Sequence, residues 1–216
     1  MLRGRRCGLA WQHADAPAER ALSGAAPGPG PGAGPEPAAP PGFGIRAAAP
    51  GELPAIGQLR VAAYRASGFL RPSSGYTAEL AALGADGRGE VLVAVRAGEI
   101  VGTVTVQVPP QPCEIAVSED EHEVRALAVL PQARGLGVGG ALLRAVIRNA
   151  VGRRARRVVL CTLPQMKTAQ RLYSAAGFRR LPGRDSEPVR GIVLLAYALD
   201  LPAAAGAAPA GAPAAG

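Results

Sequence analysis

The chain has 216 residues, a length that is enough for one domain of ordinary size with additional tails. Its formal net charge is +8. No apolar run approaches the roughly 18 residues that a membrane-spanning helix needs, so we expect no membrane segment. Three cysteines, Cys7, Cys113 and Cys161, form neither a metal-binding nor a disulfide pattern, and this argues against a stapled secreted fold and favours a cytoplasmic protein.

Alanine, proline and glycine dominate both ends of the chain. Residues 17–44 are mostly of these three types, and residues 202–216 contain nothing else. Such segments carry too little large apolar surface to offset the entropy lost on ordering. The composition therefore predicts a disordered N-terminal tail over 1–43, one domain over 44–201 and a disordered C-terminal tail over 202–216.

Hydrophobic periodicity in the first half of the domain predicts strands and helices in a mixed order. β-branched and alternating runs predict strands over 43–47, 90–96 and 100–108, and a short turn over 97–99 joins the last two as a hairpin. Apolar residues at helical spacing predict helices over 50–66 and 75–83. Residues 109–118 are predicted as a loop.

The second half alternates strand and helix patterns more regularly. The predicted strands cover 123–129 and 157–162, with final strands near Phe178 and over 192–199. The predicted helices cover 139–150 and 166–176. A hairpin followed by a β-α-β-α-β half predicts a mixed sheet.

A glycine-dense turn joins the strand over 123–129 to the helix that follows it. It reads Arg134-Gly135-Leu136-Gly137-Val138-Gly139-Gly140. The first N–H groups of a helix have no intrahelical partner and carry the partial positive charge of the helix dipole, and glycine lets an anion approach the backbone. The turn therefore predicts a phosphate-binding site.

Two nucleotide-binding templates fit this turn poorly. Gly135, Gly137 and Gly140 satisfy G-x-G-x-x-G, but a dinucleotide site also needs an acidic residue about 20 positions later, and residues 124–184 contain no Asp or Glu. A P-loop would continue with Lys and then Ser or Thr, whereas Ala141 and Leu142 follow here. The pattern therefore argues against a nucleotide hydrolase.

Read from Arg134, the same turn is R-x-x-G-x-G, and two further motifs flank it. The segment 123–131 reads EVRALAVLP, and the segment 169–178 reads AQRLYSAAGF. In this order the three motifs resemble the GNAT-type N-acetyltransferase superfamily, and weaker similarity covers residues 45–201. The resemblance implies an α/β (α+β) fold in which a mixed, mostly antiparallel central sheet of about six to seven strands is flanked by about four helices.

The resemblance also implies acetyl-CoA as co-substrate, without a metal. Main-chain N–H groups of the turn would bind its pyrophosphate, namely those of Arg134, Gly135, Leu136, Gly137, Val138, Gly139 and Gly140. The pantetheine arm would run along the fourth strand in contact with Leu127 and Val129. Met166 stands where many relatives carry Asn, which removes one possible side-chain hydrogen bond to the cofactor.

Two residues match catalytic positions of the family. Tyr173 corresponds to a tyrosine near the coenzyme A sulfur, and a phenol with an ordinary pKa of about 10 can protonate the leaving thiolate. Tyr173 also lies on the apolar stripe of its helix, so a core role stays open. Glu123 matches a catalytic glutamate of some relatives, but it lies roughly 13 Å along the strand from Leu127, which implies a water relay. An ion pair between Glu123 and an arginine is an equal alternative.

The implied function is transfer of an acetyl group from acetyl-CoA to a primary amine by direct attack in a ternary complex. The acceptor, a small molecule or a protein amine, stays unidentified, and the segments 66–89, 109–120 and 181–190 are expected to select it. A catalytically degenerate acyl-CoA-binding regulatory module is the alternative. Because aromatic residues make up only 4% of the chain, no nucleic-acid partner is expected. Either a monomer or a homodimer is compatible with the sequence.

Overall fold

The computed structural model describes residues 42–71, 74–87, 89–111 and 113–202. The predicted tails fall almost entirely outside the described residues. Within them an eight-stranded sheet runs in the order β1-β2-β3-β4-β5-β8-β6, and β7 pairs with β8. No helix in the described ranges is long and apolar enough to cross a bilayer.

The strands and helices follow the predicted order with shifted ends. The strands are β1 Gly44–Ala47, β2 Glu90–Arg96, β3 Glu99–Gln107, β4 Glu121–Val129, β5 Arg157–Thr162, β6 Arg179–Arg180, β7 Ser186–Val189 and β8 Ile192–Asp200. The helices are α1 Leu53–Ala66, α2 Tyr76–Ala82, α3 Val138–Gly152 and α4 Lys167–Ala175. Strand β7 was not predicted, because Ser186, Glu187 and Pro188 read as a loop, and proline is confined to sheet edges.

Strand pairing is antiparallel except between β4 and β5. The predicted mixed, mostly antiparallel sheet is therefore confirmed, with eight strands instead of six to seven. Helices cover both faces because alternate residues of β2 point to opposite sides: Leu92 packs with the α3 cluster, whereas Val91 and Val93 pack with Ile56 of α1.

Helix α3 begins close against the sheet because β3 carries glycine at the contact. A Cβ atom on Gly102 would lie 2.9 Å from Val138 Cγ1 and 3.2 Å from the carbonyl oxygen of Ala128. Real Cβ atoms essentially never approach a neighbour as closely as 2.9 Å. Gly102 therefore lets the first turn of α3 rest directly on β3.

Strand β4 contains an irregularity at its centre. Thr103 of β3 pairs with Ala128 and Thr105 pairs with Arg125, so β4 carries one extra residue. Ala126 lies in this bulge with φ +51°, a left-handed conformation that costs a residue with a side chain roughly 1–2 kcal/mol. A bulge of this kind redirects the strand and its main-chain groups.

The two parallel strands part at this bulge. Residues 121–124 of β4 pair with residues 157–160 of β5, but β4 continues to Val129 and β5 to Thr162 without pairing each other. The second half of β4 is therefore open on the side that faces away from β3. The gap between the strands positions the site described next.

Candidate active site

The glycine turn leaves a row of free main-chain donors at the start of α3. The N–H of Arg134 donates to the carbonyl of Pro131 at 3.2 Å, and the N–H of Ala141 donates to the carbonyl of Gly137 at 3.0 Å. Between them, the N–H groups of residues 135–140 donate to no acceptor among the described residues. The free donors therefore begin at Gly135, and Arg134, whose N–H was predicted to bind phosphate, uses it within the turn.

Two glycines give this turn its shape. Gly135 has φ +77° and Gly137, which caps α3, has φ +78°. A Cβ atom at either position would meet nothing within 4 Å, so the space in front of the backbone is open. Free N–H groups around an open concavity at a helix N-terminus form a cradle for an anion such as pyrophosphate.

The side chain of Arg134 ties the turn to its surroundings. Its Nε donates to the carbonyl of Val129 at 3.3 Å, and its Nη2 donates to the carbonyl of Ala63 at 3.1 Å and to Ser67 Oγ at 2.9 Å. The guanidinium thus joins the end of β4 to the end of α1. Arg134 holds the cradle in place through these contacts.

Leu127 and Val129 lie on the open half of β4. The N–H of Leu130 donates to the carbonyl of Val101, and Ala128 pairs with Thr103. Because alternate residues of an antiparallel strand direct their main-chain groups to the same neighbour, Ala128 and Leu130 direct theirs toward β3. The main-chain groups of Leu127 and Val129 therefore face the gap between β4 and β5. Their side chains pack against the core.

A cavity of about 90 Å³ lies where β4 and β5 part. Its wall comes from α1, the α1–α2 connection, the start of α2, the loop before β4, β4 itself, the end of β5 with the connection after it, and β8. The lining residues include Tyr64, Phe69, Arg71, Tyr76, Glu114, Arg125, Ala126, Cys161, Met166, Ile192 and Leu194. The wall is partly aromatic and aliphatic and partly charged. Thr162 Oγ1 donates to the sulfur of Met166 at 3.5 Å, so Met166 packs against the end of β5.

Arg125 is the centre of the charged wall. Its buried guanidinium donates from Nη1 to Gln107 at 3.3 Å, and from Nη2 to Glu79 at 3.2 Å and to Glu114. Its Nε lies 3.9 Å from Glu123 Oε1. Burial acts to lower the pKa of Arg125, but the carboxylates, with Glu114 first, raise it above its usual value. Arg125 therefore stays charged, and its Nη1 and Nη2 donate to neighbouring side chains.

Glu123 lies behind this wall and does not line the cavity. Its side chain is 1% exposed. Oε1 accepts the N–H of Glu114 at 3.0 Å, and Oε2 accepts those of Ile115 and Ala116, each at 2.9 Å. Burial raises the pKa of Glu123, and the charge of Glu114 adds to this, while the two N–H donors of Ile115 and Ala116 and the charge of Arg125 oppose it. The carboxylate thus holds the main chain of the loop before β4.

Tyr173 projects from α4 into the core beside the gap. Its ring centroid lies 6.1 Å from those of Phe178 and Tyr197. Burial raises the pKa of Tyr173 above its ordinary value, and the proximity of Tyr64 and Cys161, which both line the cavity, adds to the rise. Its hydroxyl has no hydrogen-bond partner in the described part of the chain. Tyr173 is therefore protonated at neutral pH, and like Glu123 it is not among the residues that line the cavity.

Sequence reasoning named the segments 66–89 and 109–120 as acceptor-selecting but did not single out Tyr64, Tyr76 or Glu114, which line the cavity. These three residues come from separate segments whose patterns give no sign that they meet. Arg125 did carry a signal, because it is the one charged residue in the otherwise apolar run 124–131. A buried strand tolerates such a residue only when carboxylates pair with it.

Comparison with known proteins agrees with this geometry. Residues 54–178 match the Acetyltransferase (GNAT) family model. Mycothiol acetyltransferase of Cellulomonas flavigena is 30% identical over 194 residues, covering 82% of this chain. The match spans 55% of that protein's own length, so the chain corresponds to about half of this relative.

Solved structures share the fold. A GNAT-family acetyltransferase from Staphylococcus aureus superposes with a TM-score of 0.59 at 17% identity, covering 74% of this chain and 99% of its own. The protein yncA of Salmonella typhimurium, solved with its cofactor acetyl-CoA, gives 0.58 at 20% identity, covering 78% and 99%. The predicted resemblance is confirmed: the chain belongs to the GNAT family of acetyltransferases, which use acetyl-CoA as acetyl donor.

Proposed function

We propose that this protein transfers an acetyl group from acetyl-CoA to a primary amine by direct attack in a ternary complex. One observation carries the proposal: the free N–H groups of residues 135–140 lie at one end of the gap between β4 and β5, and a cavity opens in the same gap. A donor held at the cradle can reach along the gap toward an acceptor in the cavity. Donor and acceptor therefore meet without a covalent enzyme intermediate.

The main chain does most of the donor binding in this proposal. The cradle of residues 135–140 binds the pyrophosphate. The main-chain groups of Leu127 and the N–H of Val129 pair with the amide groups of the pantetheine arm as an added strand would, while the Val129 carbonyl accepts from Arg134. An N–H group in this half of β4 also donates to the thioester carbonyl oxygen as negative charge develops on it. The hydrogen bond from Arg134 to the Val129 carbonyl fixes the cradle relative to the second half of β4.

Tyr173 supplies the proton that the leaving group needs. The neutral amine nitrogen attacks the thioester carbonyl carbon, the carbon–sulfur bond breaks, and the sulfur takes the phenol proton. Because burial raises the pKa of Tyr173, the phenol holds its proton throughout the neutral range. After the attack the nitrogen carries a positive charge and releases a proton to solvent, and Tyr173 regains a proton from solvent. An acceptor that binds as an ammonium loses its first proton to solvent before it attacks.

Glu123, the predicted second catalytic residue, enters the proposal in a different role. Main-chain N–H groups hold both of its oxygens, and it lies outside the cavity wall. A carboxylate in this setting is poorly placed to take a proton from an acceptor. We therefore assign it the positioning of the loop before β4.

A panel of amines tests the proposal. The protein is mixed with acetyl-CoA and each amine, the release of free thiol is measured over time, and the molecular mass of the product is determined by mass spectrometry. The panel spans alkylamines, arylalkylamines, amino acids, N-terminal and lysine peptides, and deacetylated mycothiol, the last because of the name of the Cellulomonas relative. At least one amine should gain one acetyl group. Acetyl-CoA binding without thiol release above background for any amine would support the regulatory module instead.

A further inference from the structure

Several carboxylates surround Arg125 in the wall of the cavity where β4 and β5 part, and membership of the family does not explain them. We propose that Glu114 is the residue that selects a small cationic amine as acceptor, and that Glu123 is the positioning residue that keeps Glu114 in the cavity wall. This inference rests on the proposed function, because it assigns the cavity to the acceptor. It concerns how the acceptor binds and leaves the donor site unchanged.

The first step is that acceptor groups of the protein itself surround Arg125. Glu79 and Glu114 accept from its Nη2, Gln107 accepts from its Nη1, and Glu123 lies 3.9 Å from its Nε. Arg71 also lines the cavity, so the cluster has two guanidinium groups and three carboxylates. An acceptor that carries its own carboxylate therefore meets an excess of negative charge.

The second step is that Glu114 has capacity left for a ligand. Its Oε1 accepts from Arg125, whereas its Oε2 accepts no hydrogen bond from the residues that the structure describes. The side chain is 18% exposed, and the residue lines the cavity. An ammonium group entering the cavity can donate to Oε2 without displacing Arg125, and such charge-assisted hydrogen bonds are strong.

The remaining wall limits the rest of the acceptor. Tyr64, Phe69 and Tyr76 provide aromatic surface, and Ile192 and Leu194 provide aliphatic surface. These surfaces favour an apolar body beside the ammonium. The chemistry that fits is a primary ammonium on a compact apolar or aromatic body without an anionic substituent.

The third step is how Glu114 is held. Glu123 accepts the N–H groups of Glu114, Ile115 and Ala116. The next N–H, of Val117, donates to Glu121 Oε2 at 3.0 Å. Two neighbouring carboxylates of β4 thus bind four consecutive N–H groups of the loop.

A third side chain closes this arrangement from the other side. Arg184 donates to both oxygens of Glu121, at 2.7 and 2.9 Å, and to the carbonyl of Ile115 at 3.1 Å. The loop is therefore fixed to the start of β4 by main-chain and side-chain contacts together. If Glu123 loses its charge and one acceptor oxygen, buried N–H groups lose their partner and Glu114 moves.

Direct binding to the full chain saturated with coenzyme A tests the proposal without requiring catalysis. The probes are 2-phenylethylamine and phenylalanine, which share a skeleton and differ by a carboxylate. Wild type should bind 2-phenylethylamine at least 10-fold more tightly than phenylalanine. Glu114→Gln should weaken 2-phenylethylamine binding about 10- to 100-fold, as expected for the loss of a charge-assisted hydrogen bond. Glu119→Gln removes an equal charge from an exposed position on the same loop and should bind as wild type does.

The role of Glu123 needs a measurement that a general structural defect would not reproduce. Glu123→Gln should weaken the same binding, and adding it to Glu114→Gln should cause no further loss, because Glu123 acts through Glu114. Coenzyme A affinity should stay within about twofold of wild type in every variant, whereas the Glu114 and Glu123 variants should lose tenfold or more in 2-phenylethylamine affinity. Additive losses in the double variant would overturn the positioning role.

Two other results would overturn the selection role of Glu114. One is equal binding of 2-phenylethylamine by the Glu114→Gln and Glu119→Gln variants, and the other is failure of wild type to prefer 2-phenylethylamine to phenylalanine. These outcomes are separate from the proposed function. Acetyl transfer without any dependence on Glu114 refutes this inference alone, whereas the predicted binding pattern without acetyl transfer refutes the proposed function alone.

Discussion

Gly137→Ala perturbs the anion cradle at its most constrained point. Gly137 caps α3 with φ +78°, and a residue with a side chain pays roughly 1–2 kcal/mol for this left-handed conformation. The added methyl group meets no protein atom within 4 Å and stands instead in the open space that faces the free N–H groups. The variant should therefore fold with a modest loss of stability and bind coenzyme A poorly.

The size of the affinity loss follows from the hydrogen bonds at risk. A hydrogen bond to a charged group contributes about 1.5–3 kcal/mol, so losing one such bond weakens binding about 10- to 100-fold. Isothermal titration with coenzyme A measures this loss, and urea unfolding measures the change in stability. The two effects need a control that separates them.

Gly98→Ala provides the matched control. Gly98 lies in the β2–β3 turn with φ +84°, and its added methyl group also meets nothing within 4 Å. Both variants should lose roughly 1–2 kcal/mol of stability, because the conformational penalty is the same. Only Gly137→Ala should lose coenzyme A affinity. Equal coenzyme A affinity in the two variants would refute the assignment of residues 135–140 as the pyrophosphate cradle.

Three further predictions concern Tyr173, Ala126 and His122. Tyr173→Phe should lower turnover about 10²- to 10⁴-fold with little change in acetyl-CoA affinity, and unchanged turnover in the variant would remove Tyr173 from the reaction. Because burial raises the pKa of Tyr173, wild-type turnover should show no loss from phenol ionisation up to about pH 10. In urea unfolding, Ala126→Gly should leave the free energy of unfolding unchanged or raise it by up to about 1 kcal/mol, because glycine relieves the left-handed strain. The control Ala128→Gly, in the regular part of β4, should lose about 1 kcal/mol. Equal losses in the two variants would show that Ala126 is unstrained. Burial, aided by the charge of Arg153, lowers the pKa of His122 below its ordinary 6.5, so the unfolded chain binds a proton that the folded chain does not. Wild type should therefore lose stability as pH falls below about 6.5, and His122→Gln should lose less over the same range; parallel pH profiles would contradict this.

The glycine turn could be predicted from the sequence because its physics is local. Residues 134–140 carry their own signal: glycines where φ must be positive, next to the apolar repeat that begins α3. The family resemblance and the order of strands and helices rest on equally local patterns. For that reason the predicted fold class is confirmed and the turn forms where it was predicted, whereas phosphate binding by its N–H groups stays a prediction.

The cavity where β4 and β5 part could be predicted only in outline, because the segments 66–89 and 109–120 were named but their contacts were not. Glu79, Glu114 and Arg125 meet only because α2, the loop before β4 and β4 itself converge in space. The bulge that opens the gap lies at Ala126, an alanine in a conformation that sequence patterns reserve for glycine. Glu123 looked catalytic from its place in the motif, and only the folded loop reveals the N–H groups that occupy its oxygens.

The most direct test of the central claim is to quantify free thiol and acetylated amine in parallel, in one reaction of the full chain with acetyl-CoA and a compact cationic amine. The account predicts that the two products appear in equal amounts, and that Gly137→Ala lowers both while Gly98→Ala lowers neither. Free thiol without acetylated amine would contradict it. So would bound acetyl-CoA that stays intact in the presence of every amine tested.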